Sequence, residues 1–304
     1  MSKKEIEHDT LGNRLKSYEY ISTSRQLMHN TPVYARIDGR AFHTFCRGLE
    51  KPFSRAFIKV MQETCKFLVE ETNACLGYVQ SDEISLGWEN IVKAPFDGRV
   101  QKLESNLASL ASSKFVHCIE SFHSGGVHIN DDIDRLWHSL ETNLPSFDCR
   151  VFNVPSMMEL ANSFLWREND AIKNSITGMA LNFYSHNELQ GKNSDEKIHM
   201  MRMKGYCFYE DTEEAFLRGT FWHRENYLKV LTKEEVARIP EKQRVNLLKS
   251  DESDALSCYR TRIAKMDIPY RLTDIENKVD VLFFGAPAVL NKENPTFDLS
   301  KRGI

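Results

Sequence analysis

The segments RIDGR at residues 36–40 and QSDE at residues 80–83 carry the strongest fold signal in the chain. Each places a carboxylate beside an apolar run that favours a β-strand, with 33–37 before Asp38 and 76–79 and 84–88 on either side of Asp82. Carboxylates at neighbouring strand ends can share a pair of divalent cations and act on a phosphate group. The two segments therefore indicate a nucleotidyl-transfer site.

The predicted elements around these segments follow the order strand, helix, strand, strand, helix, strand. The intervening helices are predicted at 54–71 and 100–121, a further helix at 131–142, and the last strand at 147–154. Two more helices are predicted at 156–166 and 171–184. This order predicts an α+β fold, a ferredoxin-like polymerase palm domain with additional helices and a C-terminal extension.

Charge and apolar content suggest two parts to the chain. Residues 1–230 form the predicted palm-like nucleotidyltransferase catalytic domain with flanking helices, of which 1–30 are polar and helical in part. Residues 231–304 are predicted to be a charged C-terminal extension that is helical or loosely packed.

Composition excludes several classes of protein. The 304 residues are 41% hydrophobic and 27% charged, which is typical of a soluble globular protein. No apolar run is long enough for a membrane span, and the polar start predicts no secretory signal. The seven cysteines are odd in number and form no C-x-x-C pair, so we expect free thiols, no zinc site and a reducing, cytoplasmic location. A net charge of −3 is mild evidence against a large nucleic-acid surface.

Further short motifs lie between and after the first two segments, in a consistent order. They are FHTF at 42–45, KP at 51–52, Arg99 with Lys102, FDCR at 147–150, WRENDA at 166–171 and LQGK at 189–192. Together these motifs, across most of residues 18–225, resemble the tRNA-His guanylyltransferase family, including its tRNA-repairing "like" branch. The resemblance implies addition of nucleotides to the 5′ end of tRNA in the 3′-to-5′ direction, after ATP or GTP activates the 5′ phosphate. It also implies a homotetramer.

The resemblance assigns roles to individual residues. Asp38, Asp82 and Glu83 would be catalytic. Two Mg²⁺ ions would be held by Asp38, Asp82 and the Gly39 carbonyl, with Glu83 as a third ligand or as an orienting group. The predicted nucleotide-binding residues are Gly39, Arg40, Ala41, Phe42, His43, Lys51, Ser81, Asp82, Arg99 and Lys102. The predicted tRNA-binding residues are Arg36, Arg150, Trp166, Arg167, Asn174 and Lys192.

One departure from the family bears on the reaction. Eukaryotic members that add the extra guanosine to tRNA-His carry a His-Ile-Asn-Asn segment after the Trp-Arg motif. Here residues 171–174 read AIKN, so the histidine is absent and only Asn174 clearly survives. The substitution resembles the "like" branch, which implies templated repair of truncated tRNA 5′ ends.

Simpler readings and other functions stay open on the sequence alone. Asp38 and Asp82 could be turn residues, His43 structural, Arg99 and Lys102 a solvated helix face, and Trp166 part of the core. A nucleotide cyclase or dinucleotide synthase would use a related palm, although the hairpin lacks a Gly-Gly-Asp/Glu-Glu-Phe signature. A non-catalytic nucleotide- or RNA-binding module is the third alternative.

Overall fold

The computed structural model describes residues 10–90, 95–125, 132–244, 248–250 and 253–291. Its strands are β1 (Val33–Gly39), β2 (Leu76–Gln80), β3 (Glu83–Trp88), β4 (Phe147–Asn153), β5 (Thr220–Val230), β6 (Leu248–Ser250) and β7 (Ser253–Lys265). Its helices are α1 (Thr10–Thr23), α2 (Phe42–Phe45), α3 (Arg55–Glu71), α4 (Val100–Ser124), α5 (Asp132–Thr142), α6 (Met157–Ala180), α7 (His186–Leu189), α8 (Ser194–Met203), α9 (Phe208–Asp211), α10 (Glu214–Leu217), α11 (Lys233–Arg238), α12 (Glu241–Arg244) and α13 (Lys278–Phe284). Short 3₁₀ turns lie at Pro95–Gly98 and Leu272–Asp274.

The strands form one antiparallel sheet in the order β4-β1-β3-β2-β5-β7-β6. The first four strands, with α3 and α4 between them, have the predicted ferredoxin-like order of elements. The prediction of an α+β palm-like fold is therefore confirmed. Among the described residues, no helix combines the length and the apolar character that a membrane-spanning helix needs.

The two faces of the sheet pack against different helices. One face, which includes Val33, Ala35 and Ile37, packs with apolar residues of α3, α4 and α5. The opposite face, which includes Tyr34, packs with α6 and with the C-terminal segment. Because side chains alternate along a strand, Asp38 lies on the same face as Tyr34, the face that α6 covers.

Helix α6 differs from its prediction. The two helices expected at 156–166 and 171–184 are one continuous helix, which begins after Ser156 and ends at Ala180. The Ser156 hydroxyl caps it by accepting from the Glu159 N–H at 3.2 Å. The polar run between the expected helices does not interrupt it, because Arg167 and Glu168 find partners elsewhere in the fold.

The C-terminal region also differs from its prediction. Strand β7 pairs with β5 from Ser257 to Lys265, and the chain then returns to the palm. Met266, Ile268 and Leu272 are buried in the same cluster as Tyr34 and residues of α6. The expectation of a loosely packed extension is therefore wrong for this segment, while a domain boundary at 230 stays a prediction.

A buried ion pair joins α6 to this returning segment. Arg218 Nη1 donates to Glu168 Oε1 at 3.1 Å, and both side chains are almost fully buried. Arg218 also donates to the carbonyl of Tyr270, and Glu168 Oε2 accepts from the Leu272 N–H at 2.8 Å. These hydrogen bonds fulfil the condition under which a buried charge pair is tolerated.

Loss of one partner of this pair is expected to destabilise the fold strongly. Arg218→Met leaves the Glu168 carboxylate buried without its counter-charge, which costs about 3–5 kcal/mol of unfolding free energy. Lys59→Met, which removes the solvent-accessible Lys59–Glu63 pair, is the control and is expected to cost less than about 1 kcal/mol. Urea denaturation measures both, and similar small losses would contradict the structural role of Arg218.

Gly39 is held against a buried aromatic cluster. The Phe42 ring lies 4.9 Å from the Phe147 ring and 5.3 Å from the Phe115 ring, measured between centroids. A Cβ atom at Gly39 would lie 2.5 Å from Cδ2 of Phe42, closer than real Cβ contacts come. Since the ring is enclosed, it has little room to move.

Gly39→Ala is therefore expected to lower the unfolding free energy by about 1–3 kcal/mol, as overpacking usually does. Phe42→Leu lowers the unfolding free energy by itself, and the double variant is expected to lose less than the sum of the two single losses, because the clashing ring atoms are gone. Gly178→Ala is the control, because its Cβ would meet nothing closer than 4.0 Å. Additive losses in the double variant, measured by thermal and urea unfolding, would show that the clash is not the cause.

Candidate active site

The end of β1 and the β2–β3 hairpin meet at one edge of the palm. Asp38 is paired in register with Glu83, the first residue of β3. The Gly39 N–H donates to the Asp82 carbonyl at 3.0 Å, which ties the hairpin to the strand end. The backbone therefore brings Asp38, Asp82 and Glu83 together, as the sequence predicts.

Two residues beside these carboxylates adopt left-handed backbone conformations. Ser81 in the hairpin has φ 51°, and Ala41 before α2 has φ 56°. Residues with a side chain adopt such values infrequently, and they cluster at functional sites. These turns leave Ser81 and His43 lining the same cavity as Asp38.

That cavity encloses about 550 Å³, a volume within the range of small-molecule sites. Its polar side holds the carboxylates, together with predicted site residues from four segments: His43, Lys51, Ser81, Arg167 and Asn174. Its apolar side includes Phe53 and Phe216, whose rings stack at 4.3 Å between centroids. The cavity thus joins acidic, basic and aromatic walls, the combination that a nucleoside triphosphate with bound cations requires.

Burial disfavours the ionised form of two carboxylates of this cavity, Asp82 and Glu83. Burial raises the pKa of Asp82 above its ordinary value, and the negative charge of Asp38 raises it further. Burial also raises the pKa of Glu83, although the positive charge of Arg167 acts in the opposite direction. A divalent cation between Asp38 and Asp82 would offset their mutual repulsion.

Glu83 has a partner of its own. Arg167 Nε donates to Glu83 Oε1, and Arg167 Nη2 donates to Asp170 Oδ2 at 3.1 Å. Both members of the Arg167–Glu83 pair are largely buried. Of the two roles predicted for Glu83, this contact favours an orienting group over a direct metal ligand.

The donor set fits Mg²⁺ in kind. Asp38 and Asp82 offer carboxylate oxygens and Gly39 offers a backbone carbonyl, the hard oxygen ligands that Mg²⁺ prefers. Across the part of the chain that the structure describes, no three side chains of His, Cys, Asp or Glu form a ready metal cluster. A metal held here would therefore complete its coordination with phosphate oxygens and water.

Trp166 does not belong to the core. It is 53% exposed on α6, and the guanidinium carbons of Arg167 and Arg36 lie 4.7 and 5.6 Å from the ring centroid. Arg150 on β4 is paired in register with Arg36 on β1. The core reading of Trp166 is therefore wrong. Of the predicted tRNA-binding residues, Arg167 contacts Glu83, and the register places Arg36 and Arg150 on the same face of the sheet as Asp38.

Other predicted residues lie away from the cavity. α4 lies along β4 so that Ser112 Oγ accepts from the Phe147 N–H and Glu104 Oε1 accepts from the Val151 N–H. Arg99 and Lys102 precede Glu104, so they lie at the end of β4 opposite to Asp38. β3 begins beside Asp38 and ends beside Val33, at the opposite end of β1, and α4 follows β3 in the chain. Within one chain, Arg99 and Lys102 are therefore separated from the cavity.

Gly39, Arg40, Ala41 and Lys192 are also absent from the cavity wall, so the metal contact predicted for the Gly39 carbonyl stays a prediction. Lys192 is exposed before α8 and pairs with Glu196 at 3.3 Å. Arg40 and Ala41 follow the strand end but do not line the cavity, and the Arg40 N–H donates to the Ser146 carbonyl at 2.8 Å. The nucleotide contacts predicted for Arg40 and Ala41 and the tRNA contact predicted for Lys192 stay predictions.

Sequence reasoning missed the apolar wall and one thiol. Phe216 comes from α10, far along the chain from Phe53, and no sequence signal links the two. Cys46 also lines the cavity, and burial, helped by the charge of Asp82, raises the pKa of its thiol to about 12. Burial thus disfavours the thiolate, the form in which a cysteine acts as a nucleophile.

Comparisons with known proteins indicate the family of this chain. The family model "Thg1: tRNAHis guanylyltransferase" matches residues 12–155. The tRNA(His) guanylyltransferase of Schizosaccharomyces pombe is 29% identical over 224 residues, 69% of this chain and 79% of that protein.

Two solved structures are also similar to this chain. A bacterial tRNA(His) guanylyltransferase (Thg1)-like protein in complex with ATP is 32% identical, with a TM-score of 0.60, over 71% of this chain and 87% of that one. A bacterial Thg1-like protein in complex with GTP is 27% identical, with a TM-score of 0.59, over 84% of this chain and 91% of that one. With the paired carboxylates and the ordered motifs, these matches show that the chain belongs to the tRNA-His guanylyltransferase (Thg1) family of nucleotidyltransferases.

Proposed function

We propose that this protein adds nucleotides to the 5′ end of tRNA in the 3′-to-5′ direction, after ATP or GTP activates the 5′ phosphate. The observation that carries the proposal is the convergence of Asp38 and Asp82 on a cavity of nucleotide size. Related proteins bound to ATP and to GTP support the choice of substrates.

Asp38, Asp82 and the Gly39 carbonyl would hold two Mg²⁺ ions. When bound, the ions would lower the pKa of the attacking 3′ hydroxyl and neutralise charge on the leaving pyrophosphate. Glu83, held by Arg167, would orient Asp82 next to it in the hairpin. Lys51 and His43, both exposed at the cavity, would bind the phosphates and the sugar or base, and the Phe53–Phe216 pair would exclude water from one side.

Templated repair of truncated tRNA is the favoured form of the reaction. Ala171, in the place of the family's histidine, is 2% exposed and packs in the core with residues of the sheet and the C-terminal segment. This position therefore offers no polar group to an RNA. Asn174, which remains, is exposed and lines the cavity.

We also propose that the protein is a homotetramer and is located in the cytoplasm. It follows the family resemblance and the predicted free thiols; the structure records all seven cysteines as free. Light scattering on the purified protein tests the oligomeric state, and a monomeric mass would overturn the tetramer.

Both carboxylates are expected to be indispensable. Asp38→Ala and Asp82→Ala should each lower nucleotide incorporation by about 100-fold or more, because charge stabilisation by a metal is worth several kcal/mol. Asp148→Ala is the matched control, since Asp148 is paired in register with Asp38 but is exposed and contacts Arg150. Full activity of Asp38→Ala or of Asp82→Ala would show that the replaced carboxylate is not part of the active site.

The preferred RNA is tested with two forms of tRNA-His, Mg²⁺, ATP and labelled GTP. One form is full-length but lacks the extra guanosine, and the other lacks its first paired nucleotide. Incorporation is expected mainly on the truncated form. Efficient addition to the full-length form would instead indicate guanylylation in the strict sense. Cyclic nucleotide made from GTP without RNA, or tight GTP binding without pyrophosphate release, would favour the alternative functions.

A further inference from the structure

One wall of the cavity is a loop without helix or strand structure. Residues 46–54, called here the cavity loop, connect α2 to α3, and most of them line the cavity. The hydrogen bond from the Leu49 N–H to the Cys46 carbonyl inside this loop is long, at 3.3 Å. Lys51 is exposed at the cavity, so the position of its ammonium group depends on how firmly the loop is held.

Three contacts hold the cavity loop from behind. Leu49 is buried in the cluster that contains residues of α3 and α4, and Ser54 caps the start of α3. Between these two points, the Glu50 N–H donates to the Asp132 carboxylate, at 3.0 Å to Oδ2 and 3.2 Å to Oδ1. Because Glu50 directly precedes Lys51, this contact fixes the point from which the Lys51 side chain extends.

The Asp132 carboxylate is buried but does not line the cavity. Asp132 is the first residue of α5, and only 1% of its side chain is exposed. Burial of a carboxylate costs free energy unless hydrogen bonds or an opposite charge compensate. Here the Glu50 N–H and Arg135 Nη1, which donates at 2.8 Å, provide that compensation. Asp132 therefore connects α5 to the cavity loop from outside the nucleotide site.

The electrostatic surroundings of Cys46 agree with this arrangement. Burial is the main cause of the raised pKa of its thiol, and the charges of Asp82, Lys51 and Asp132 also act on it. Because such effects weaken with distance, all three charged groups lie near Cys46. Asp132 is thus close to the part of the cavity in which Lys51 would meet a phosphate.

We propose that Asp132 is a positioning residue for Lys51: it holds the Glu50 N–H so that the Lys51 ammonium group meets the phosphates of a nucleoside triphosphate in the cavity. The inference rests on the proposed function, in which Lys51 binds phosphates, and adds to it a residue outside the cavity. A lysine side chain has several rotatable bonds, so its ordering on a loose loop costs additional conformational entropy. A loop that is fixed in advance reduces this cost of binding.

The test measures equilibrium binding of ATP and of GTP in Mg²⁺ without RNA, and the nucleotide that binds more tightly is used for the variants. Asp132→Ala is expected to weaken binding by about 10-fold, the effect of losing a hydrogen bond to a charged group. Asp132→Asn keeps one acceptor oxygen and the side-chain volume but loses the charge, so a smaller loss of about 3-fold is expected.

Asp134→Ala is the matched control for both Asp132 variants. Asp134 belongs to the same turn of α5, but its side chain is exposed and its Oδ1 lies 3.6 Å from His123 Nε2. Its removal should leave nucleotide binding unchanged.

A double-variant cycle shows whether Asp132 acts through Lys51. Lys51→Ala alone should weaken nucleotide binding, and neither Asp132→Ala nor Asp132→Asn should weaken it further in that background. Equal losses with and without Lys51 would indicate a general effect on the fold and would overturn the proposal. Unchanged nucleotide binding in both Asp132 variants would overturn it as well.

The two Asp132 variants and the absence of RNA keep the outcomes separate. If Asp132→Ala does not fold, Asp132→Asn gives the same comparison with and without Lys51. Wild-type protein that binds a nucleotide but adds none to tRNA would count against the proposed function alone. Absence of ATP and GTP binding by the wild-type protein would overturn both proposals.

Discussion

The antiparallel pairing at the end of β1 is the constraint on which the site depends. Asp38 lies between Glu83 of β3 and Asp148 of β4, and the Gly39–Asp82 hydrogen bond holds the hairpin against the strand end. A slip of one residue would turn Asp38 and Arg36 to the opposite face of the sheet, against α3 and α4. Val33, Ala35 and Ile37 of β1 are buried, and a slip would remove them from the core. The packing of the core therefore also fixes the position of Asp38 at the edge of the palm.

Helix α6 connects the active site to the returning C-terminal segment. Arg167 contacts Glu83 at the active site, and the next residue, Glu168, is paired with Arg218 in the core. Successive residues of a helix point about 100° apart, so one turn of α6 faces both the cavity and the returning C-terminal segment. That segment contributes no residue to the cavity wall, yet its backbone satisfies Arg218 and Glu168 and so supports the position of Arg167.

The sequence predicted what short-range patterns determine. Strands 33–37, 76–79 and 84–88 and the helix at 54–71 agree with the structure to within one or two residues, because apolar periodicity and the Ser54 cap act locally. Long-range pairings have no such signal: the Phe53–Phe216 stack joins distant segments, and the polar run that predicts two separate helices lies inside the continuous helix α6. The start of a helix at Arg99 agrees with the structure, but a motif gives the order of residues and not the end of the sheet at which that helix begins.

The claim that Asp38 and Asp82 hold the metal is tested most directly by exchanging the ligand atoms. Nucleotide incorporation by Asp38→Cys and Asp82→Cys is measured in Mg²⁺ and again in Mn²⁺ or Cd²⁺, which accept a thiolate more readily than Mg²⁺ does. The structure predicts that both variants are inactive with Mg²⁺ and regain activity with the softer ions, while Asp148→Cys is active throughout. Failure of the softer ions to restore either variant, or undiminished wild-type activity in excess EDTA, would contradict the assigned site.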